Sequence, residues 1–86
     1  MDLRSYVITF RSITYAQRAE RILKDAGIRC TLQRAPRAME ERGCGYAIHL
    51  RQADISTALL LLRRAQVPMR KVYARDESGK VEEAAL

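Results

Sequence analysis

Apolar and polar positions alternate in some stretches of this chain and recur at helical spacing in others. Ser5-Tyr6-Val7-Ile8-Thr9-Phe10 is rich in β-branched and aromatic residues and predicts a first strand. Ser12 and Thr14 are both candidate helix caps, and Thr14 with Gln17 three residues on matches a capping box. Ala16, Ala19, Ile22, Leu23 and Ala26 then fall on one side of a helix that Gly27 stops. Ile28, Cys30 and Leu32 alternate with Arg29, Thr31 and Gln33, the period-2 signature of a half-buried strand. Tyr46-Ala47-Ile48-His49-Leu50 predicts a third strand. Asp54 is placed to cap a second helix holding Ile55, Ala58, Leu59, Leu62 and Ala65, which ends before Pro68. Arg70-Lys71-Val72-Tyr73-Ala74-Arg75 predicts a last strand, and Asp76 to Leu86 a turn and a frayed acidic tail.

The order βαββαβ predicts an α+β fold, a ferredoxin-like sandwich over residues 1–75 with residues 76–86 as the tail. Four antiparallel strands are expected in the spatial order 4-1-3-2, with both helices on one face. Alternation sends Tyr6, Ile8, Phe10, Ile28, Cys30, Leu32, Tyr46, Ile48, Leu50, Val72 and Ala74 toward the helices. It leaves Val7, Thr9, Arg29, Thr31, Gln33, Ala47, His49, Lys71, Tyr73 and Arg75 on an open face.

Eighty-six residues make one domain, which buries roughly 60–65% of its unfolded surface. The net charge of +6 is uneven. Residues 3–75 carry fifteen Lys and Arg against five acids, whereas 76–86 carry four acids against Lys80 alone. A basic body of this kind attracts nucleic acid or an acidic protein face, although solvated helix and strand faces account for most such charges. Two cysteines without a C-x-x-C pair, and a lone His49, give no metal site and no cofactor. The N-terminus shows no export signal, and the run Ala58-Leu59-Leu60-Leu61-Leu62 is far too short for a membrane span. A cytoplasmic protein with reduced thiols is expected.

Chemistry concentrates at Gly43-Cys44-Gly45, which closes an arginine-rich connection beginning at Arg34. That connection is long for a link between neighbouring strands, and long loops in compact domains are often functional. Flanking glycines leave the sulfur unshielded, and Arg37 and Arg42 favour the reactive thiolate while Glu40 and Glu41 oppose it. The plain alternative is a glycine turn that happens to contain a cysteine. Cys30, in phase with Ile28 and Leu32, reads as core. His49 is carried away from Cys44 along its strand at about 3.3 Å per residue, so it reads as a solvated histidine rather than a base. Tyr6, Phe10 and Tyr46 read as core, Tyr15 as either core or a binding platform, and Arg63-Arg64 and Arg70-Lys71 as solvated surface.

From Tyr6 to about Leu50 the chain resembles the selenium/sulfur carrier protein-like family of small bacterial domains. The matching residues are Tyr6 to Ser12, Ala16, Ala19-Glu20, Leu23, Ala26-Gly27-Ile28, Pro36-Arg37 and Cys44-Gly45-Tyr46-Ala47-Ile48. Glu40-Glu41-Arg42-Gly43 departs from the family's small hydroxyl residues ahead of Cys-Gly. The resemblance implies a carrier that holds sulfur or selenium on Cys44, with Pro36-Arg37 and Cys44-Gly45 as the matching positions, while the residues themselves assign Arg37 and Arg42 to tuning the sulfur and Gly43 and Gly45 to exposing it. It also implies a donor such as a cysteine desulfurase and an acceptor enzyme. No base or second nucleophile accompanies Cys44, so a carrier is expected rather than a self-sufficient enzyme. The rivals are an RNA-recognition-like module, with Gly45 to Leu50 as a degenerate third-strand motif, and a non-catalytic interaction or ligand-sensing domain.

Overall fold

The computed structural model describes residues 5–35 and 45–84. β1 (Ser5–Phe10) leads into α1 (Ile13–Asp25), and β2 (Cys30–Arg34) and β3 (Tyr46–Arg51) follow. A 3₁₀ turn (Gln52–Asp54) then opens α2 (Ile55–Arg64), and β4 (Val72–Arg75) and β5 (Val81–Glu83) complete the chain. Ser12 caps α1, its hydroxyl accepting from the Tyr15 N–H at 3.3 Å. α1 ends as helices with a left-handed C′ residue do. Gly27 sits at φ +80°, and the N–H groups of Gly27 and Ile28 return to the carbonyls of Lys24 and Leu23. Asp54 does not cap α2 with its side chain; its carboxylate accepts instead from Arg51 at 3.3 Å.

The strands pair antiparallel in the order β2-β3-β1-β4-β5. Four of them keep the predicted order, and the sheet has five strands rather than four. The helices share one face. Ala16, Ala19 and Leu23 of α1 and Ile55, Ala58, Leu59 and Leu62 of α2 pack in one cluster with Ile8, Phe10, Ile48 and Leu50 of the sheet. Tyr6, Cys30, Leu32, Tyr46 and Val72 flank that cluster, as alternation predicts. The opposite face is less open than the sequence suggests. Val7, Thr9 and Ala47 are fully buried, and Ala35, Tyr73 and Val81 pack against Val7 and Ala47.

The fifth strand forms because Asp76 organises a tight turn. Its Oδ1 accepts from the Ser78 hydroxyl at 2.6 Å and from the N–H groups of Ser78 and Lys80, while Gly79 takes φ +87°. Acidic β5 then lies against a basic neighbour, with Glu83 3.6 Å from Lys71. The Ser78 hydroxyl bond, aided by backbone N–H groups and Lys80, holds the Asp76 carboxyl below its ordinary value of 3.8. A lowered carboxyl stabilises the folded state above that ordinary value and stops doing so as pH falls through the lowered one. Asp76→Ala is accordingly expected to speed amide hydrogen exchange at Val81–Glu83 while leaving β1 and β3 protected. Unchanged exchange in β5 would show that the turn does not hold it.

Candidate functional site

The two ends of the arginine-rich connection meet at one end of the sheet. Tyr46, the first residue of β3, pairs with Phe10 on one side and Arg34 on the other. Just beyond, the Ala35 N–H donates to the Gly45 carbonyl at 3.0 Å, joining the flanks of residues 36–44. Gly45 is buried, and Ala35 packs against the cluster of Val7 and Ala47. Of the predicted site residues, Gly45 is therefore part of the sheet's closure. Pro36, Arg37, Arg42, Gly43 and Cys44 lie outside the described residues.

Buried Thr9 fastens the β4 approach to this same end. Its N–H donates to the Lys71 carbonyl at 2.9 Å, and its carbonyl accepts from the Arg70 N–H at 2.8 Å. The Lys71 N–H donates to its hydroxyl at 3.1 Å. Those bonds, satisfied within the chain, are why a threonine expected on an open face is fully buried. Beside it lies a cavity of about 320 Å³ lined by Arg11, Tyr15, Pro68, Met69 and Arg70. In the sequence Tyr15 fits either core or platform, and Arg11 and Met69 carry no assigned role. The usable signal was positional: Arg11 and Ser12 join the end of a strand to the start of a helix. α1 has no acidic residue in its first turn, so side chains do not offset the partial positive charge there.

Cys30 and His49 lie toward the other end. Cys30 is half-buried, and burial first, then Glu20, push its thiol above the ordinary 9.0, with Lys24 opposing. It is poorly suited to form a thiolate. His49 is not the solvated histidine that alternation suggests. It is half-buried, with its Nε2 atom covered and without a hydrogen-bond partner among the described residues. Burial first, and the Arg75 charge second, push its pKa below 6.5. A histidine lowered in the folded state makes stability fall as pH drops from 6.5 through the lowered value, because the unfolded chain takes up the proton first. His49→Gln should flatten that part of a pH–stability curve. A curve of unchanged slope would contradict the assignment.

Among the described residues there is no group of three or more His, Cys, Asp or Glu placed to hold a metal, and no helix long and apolar enough to cross a membrane. The model of a family described as Putative Se/S carrier protein-like matches residues 5–74. The chain belongs to this family. No curated protein and no solved structure matches it. The span shared with the Se/S carrier protein-like family runs from β1 into β4, so it includes both helices and both cysteines. Within it, Cys44 directly precedes buried Gly45. β5 and its Asp76 turn lie beyond the matched residues.

Proposed function

We propose that this protein carries sulfur or selenium on Cys44, handing it from a donor enzyme to an acceptor. The observation that carries this reading is the family match over residues 5–74, which contains Cys44-Gly45. On this reading the βαββαβ core is a ferredoxin-like platform with one added edge strand. The platform ties the flanks of the cysteine-bearing connection together through Ala35 and Gly45. On this reading Arg37 and Arg42, near Cys44 in sequence, favour its thiolate and Glu40 and Glu41 oppose it, each charge worth roughly 0–1 kcal/mol at most.

The proposed chemistry is exchange at sulfur without net oxidation. The Cys44 thiolate attacks the outer sulfur of a persulfide on the donor, such as a cysteine desulfurase. A new S–S bond forms to Cys44, the donor's S–S bond breaks, and the donor cysteine leaves as a thiolate with the electron pair. In the second step a nucleophile on the acceptor takes the outer atom and Cys44 leaves as a thiolate. Selenium follows the same course. Cys30 takes no part, because its raised pKa disfavours the attacking form.

The RNA-recognition reading is not favoured. Ile48 is buried in the helix-facing cluster and Tyr46 packs against it, so the third-strand positions that would stack bases point inward. Loading tests the carrier reading. Incubated with a cysteine desulfurase and cysteine, then separated from the donor, the protein should release close to one sulfide per chain on reduction. Release no greater than from a heat-unfolded control would overturn the proposal.

A further inference from the structure

Arginines converge on the end of the sheet opposite the 36–44 connection. Register sets Arg51, Ser5 and Arg75 side by side across β3, β1 and β4. The next row holds Thr31, His49 and Val7 across β2, β3 and β1. A concavity of about 310 Å³ opens here, lined by Ser5, Arg29, Cys30, Thr31, His49, Leu50 and Arg51, with Arg75 beside it in the same row as Ser5. Arg29, Arg51 and Arg75 are exposed, and Asp54 meets Arg51 at 3.3 Å. Clustered like charges oppose folding by mutual repulsion, and a bound anion relieves that repulsion.

We propose that this end of the sheet binds the phosphate group of a small ligand, with Arg29, Arg51 and Arg75 supplying charge and Ser5 and Thr31 supplying hydroxyl donors. Planar guanidinium forks match phosphate oxygens, and several cations around one concavity favour a dianion over a monocarboxylate. A polynucleotide fits less well, because Val7, Thr9 and Ala47 fill the middle of this face and are covered by the chain itself. Among the described residues this face offers no row of exposed rings on which bases would stack.

His49 is the only histidine in the chain, so its ring protons report on the site without ambiguity. Around it stand Thr31 and Arg29 of the β2 side, Val7 and Ser5 of β1, Tyr73 and Arg75 of β4, and Arg51 with its partner Asp54. Burial and then Arg75 disfavour the protonated form of His49, and a bound anion should move its titration to higher pH. The experiment follows the His49 ring signals by NMR while inorganic phosphate, a nucleoside monophosphate, acetate or a single-stranded oligonucleotide is added at constant ionic strength. A saturable shift with phosphate and the monophosphate, larger than with acetate, is expected. Arg29→Gln and Arg75→Gln should each weaken it about three- to fivefold, in line with one exposed charge. Arg21→Gln, which removes an exposed charge from α1, should leave the affinity unchanged. The proposal is overturned by no saturable shift, by an equal response to acetate, or by an equal loss in Arg21→Gln. A response to the oligonucleotide alone also overturns it and makes this a nucleic-acid surface.

Discussion

Replacing Phe10 with alanine is expected to cost the fold about 3–5 kcal/mol, the range for truncating a buried aromatic. Phe10 has no exposed surface and sits in the one cluster shared by both helices and the sheet. It also closes β1 opposite Tyr46, one residue before the arginine that leads to the Ser12 cap. The vacated volume cannot collapse easily, because strand pairing on one side and α1 on the other fix its walls. In a domain of this size each kcal/mol moves the thermal midpoint by roughly 4–8 °C, so the variant should melt far below the parent. Leu60→Ala offers the contrast. Leu60 is 49% exposed, and its removal should stay within about 0.5 kcal/mol. A Phe10→Ala loss no larger than that of Leu60→Ala, measured by urea unfolding, would contradict the packing described here.

Cys44→Ser is expected to abolish reducible sulfur loading altogether while leaving the unfolding midpoint unchanged. Serine presents an oxygen of similar size, but a hydroxyl neither ionises near neutral pH nor forms a stable bond to a persulfide sulfur under these conditions. Cys30→Ser should load as the parent does, since burial and Glu20 hold the Cys30 thiol out of the reactive form. Its cost appears instead in stability, because Cys30 packs against the main core cluster and a hydroxyl there is less well accommodated. The arginine variants Arg37→Gln and Arg42→Gln should slow loading by a few-fold at most. If Cys30→Ser rather than Cys44→Ser lost the sulfur, the assignment of the carrier atom would fail.

Much of the fold was legible because each element's apolar period agreed with its local punctuation. Ile8 and Phe10 in one phase, the Ser12 cap, Ala16, Ala19 and Leu23 at helical spacing, and Gly27 at the stop all point to the same βα unit. The end of α2 was less visible. Gln66 takes the left-handed position, φ +57°, that Gly27 takes after α1, and no glycine marks it. β5 was missed because a three-residue strand, Val81–Glu83, leaves too few positions for a period to show. What holds it is the Asp76 turn and the facing charge of Lys71, which depend on β4 being in place.

The site divides in the same way. Residues brought together by pairing register, such as Arg51, Ser5 and Arg75, are distant in sequence and carry no local pattern that would group them. Val7 and Ala47 alternate correctly onto the face away from the helices, yet Ala35, Tyr73 and Val81 pack against them. Alternation reports which face a residue occupies, not what else the chain lays upon that face. The start of β3 was legible from the switch between the arginine-rich connection and the Tyr46 strand.

Peptide-resolved mass spectrometry of the loaded protein tests the carrier proposal most directly. After incubation with a cysteine desulfurase and cysteine, removal of the donor and digestion without reductant, the peptide containing Cys44 should be heavier by one sulfur atom. The peptide containing Cys30 should be unmodified. Added sulfur on Cys30, on both peptides equally, or on neither would contradict the proposal that Cys44 is the carrier.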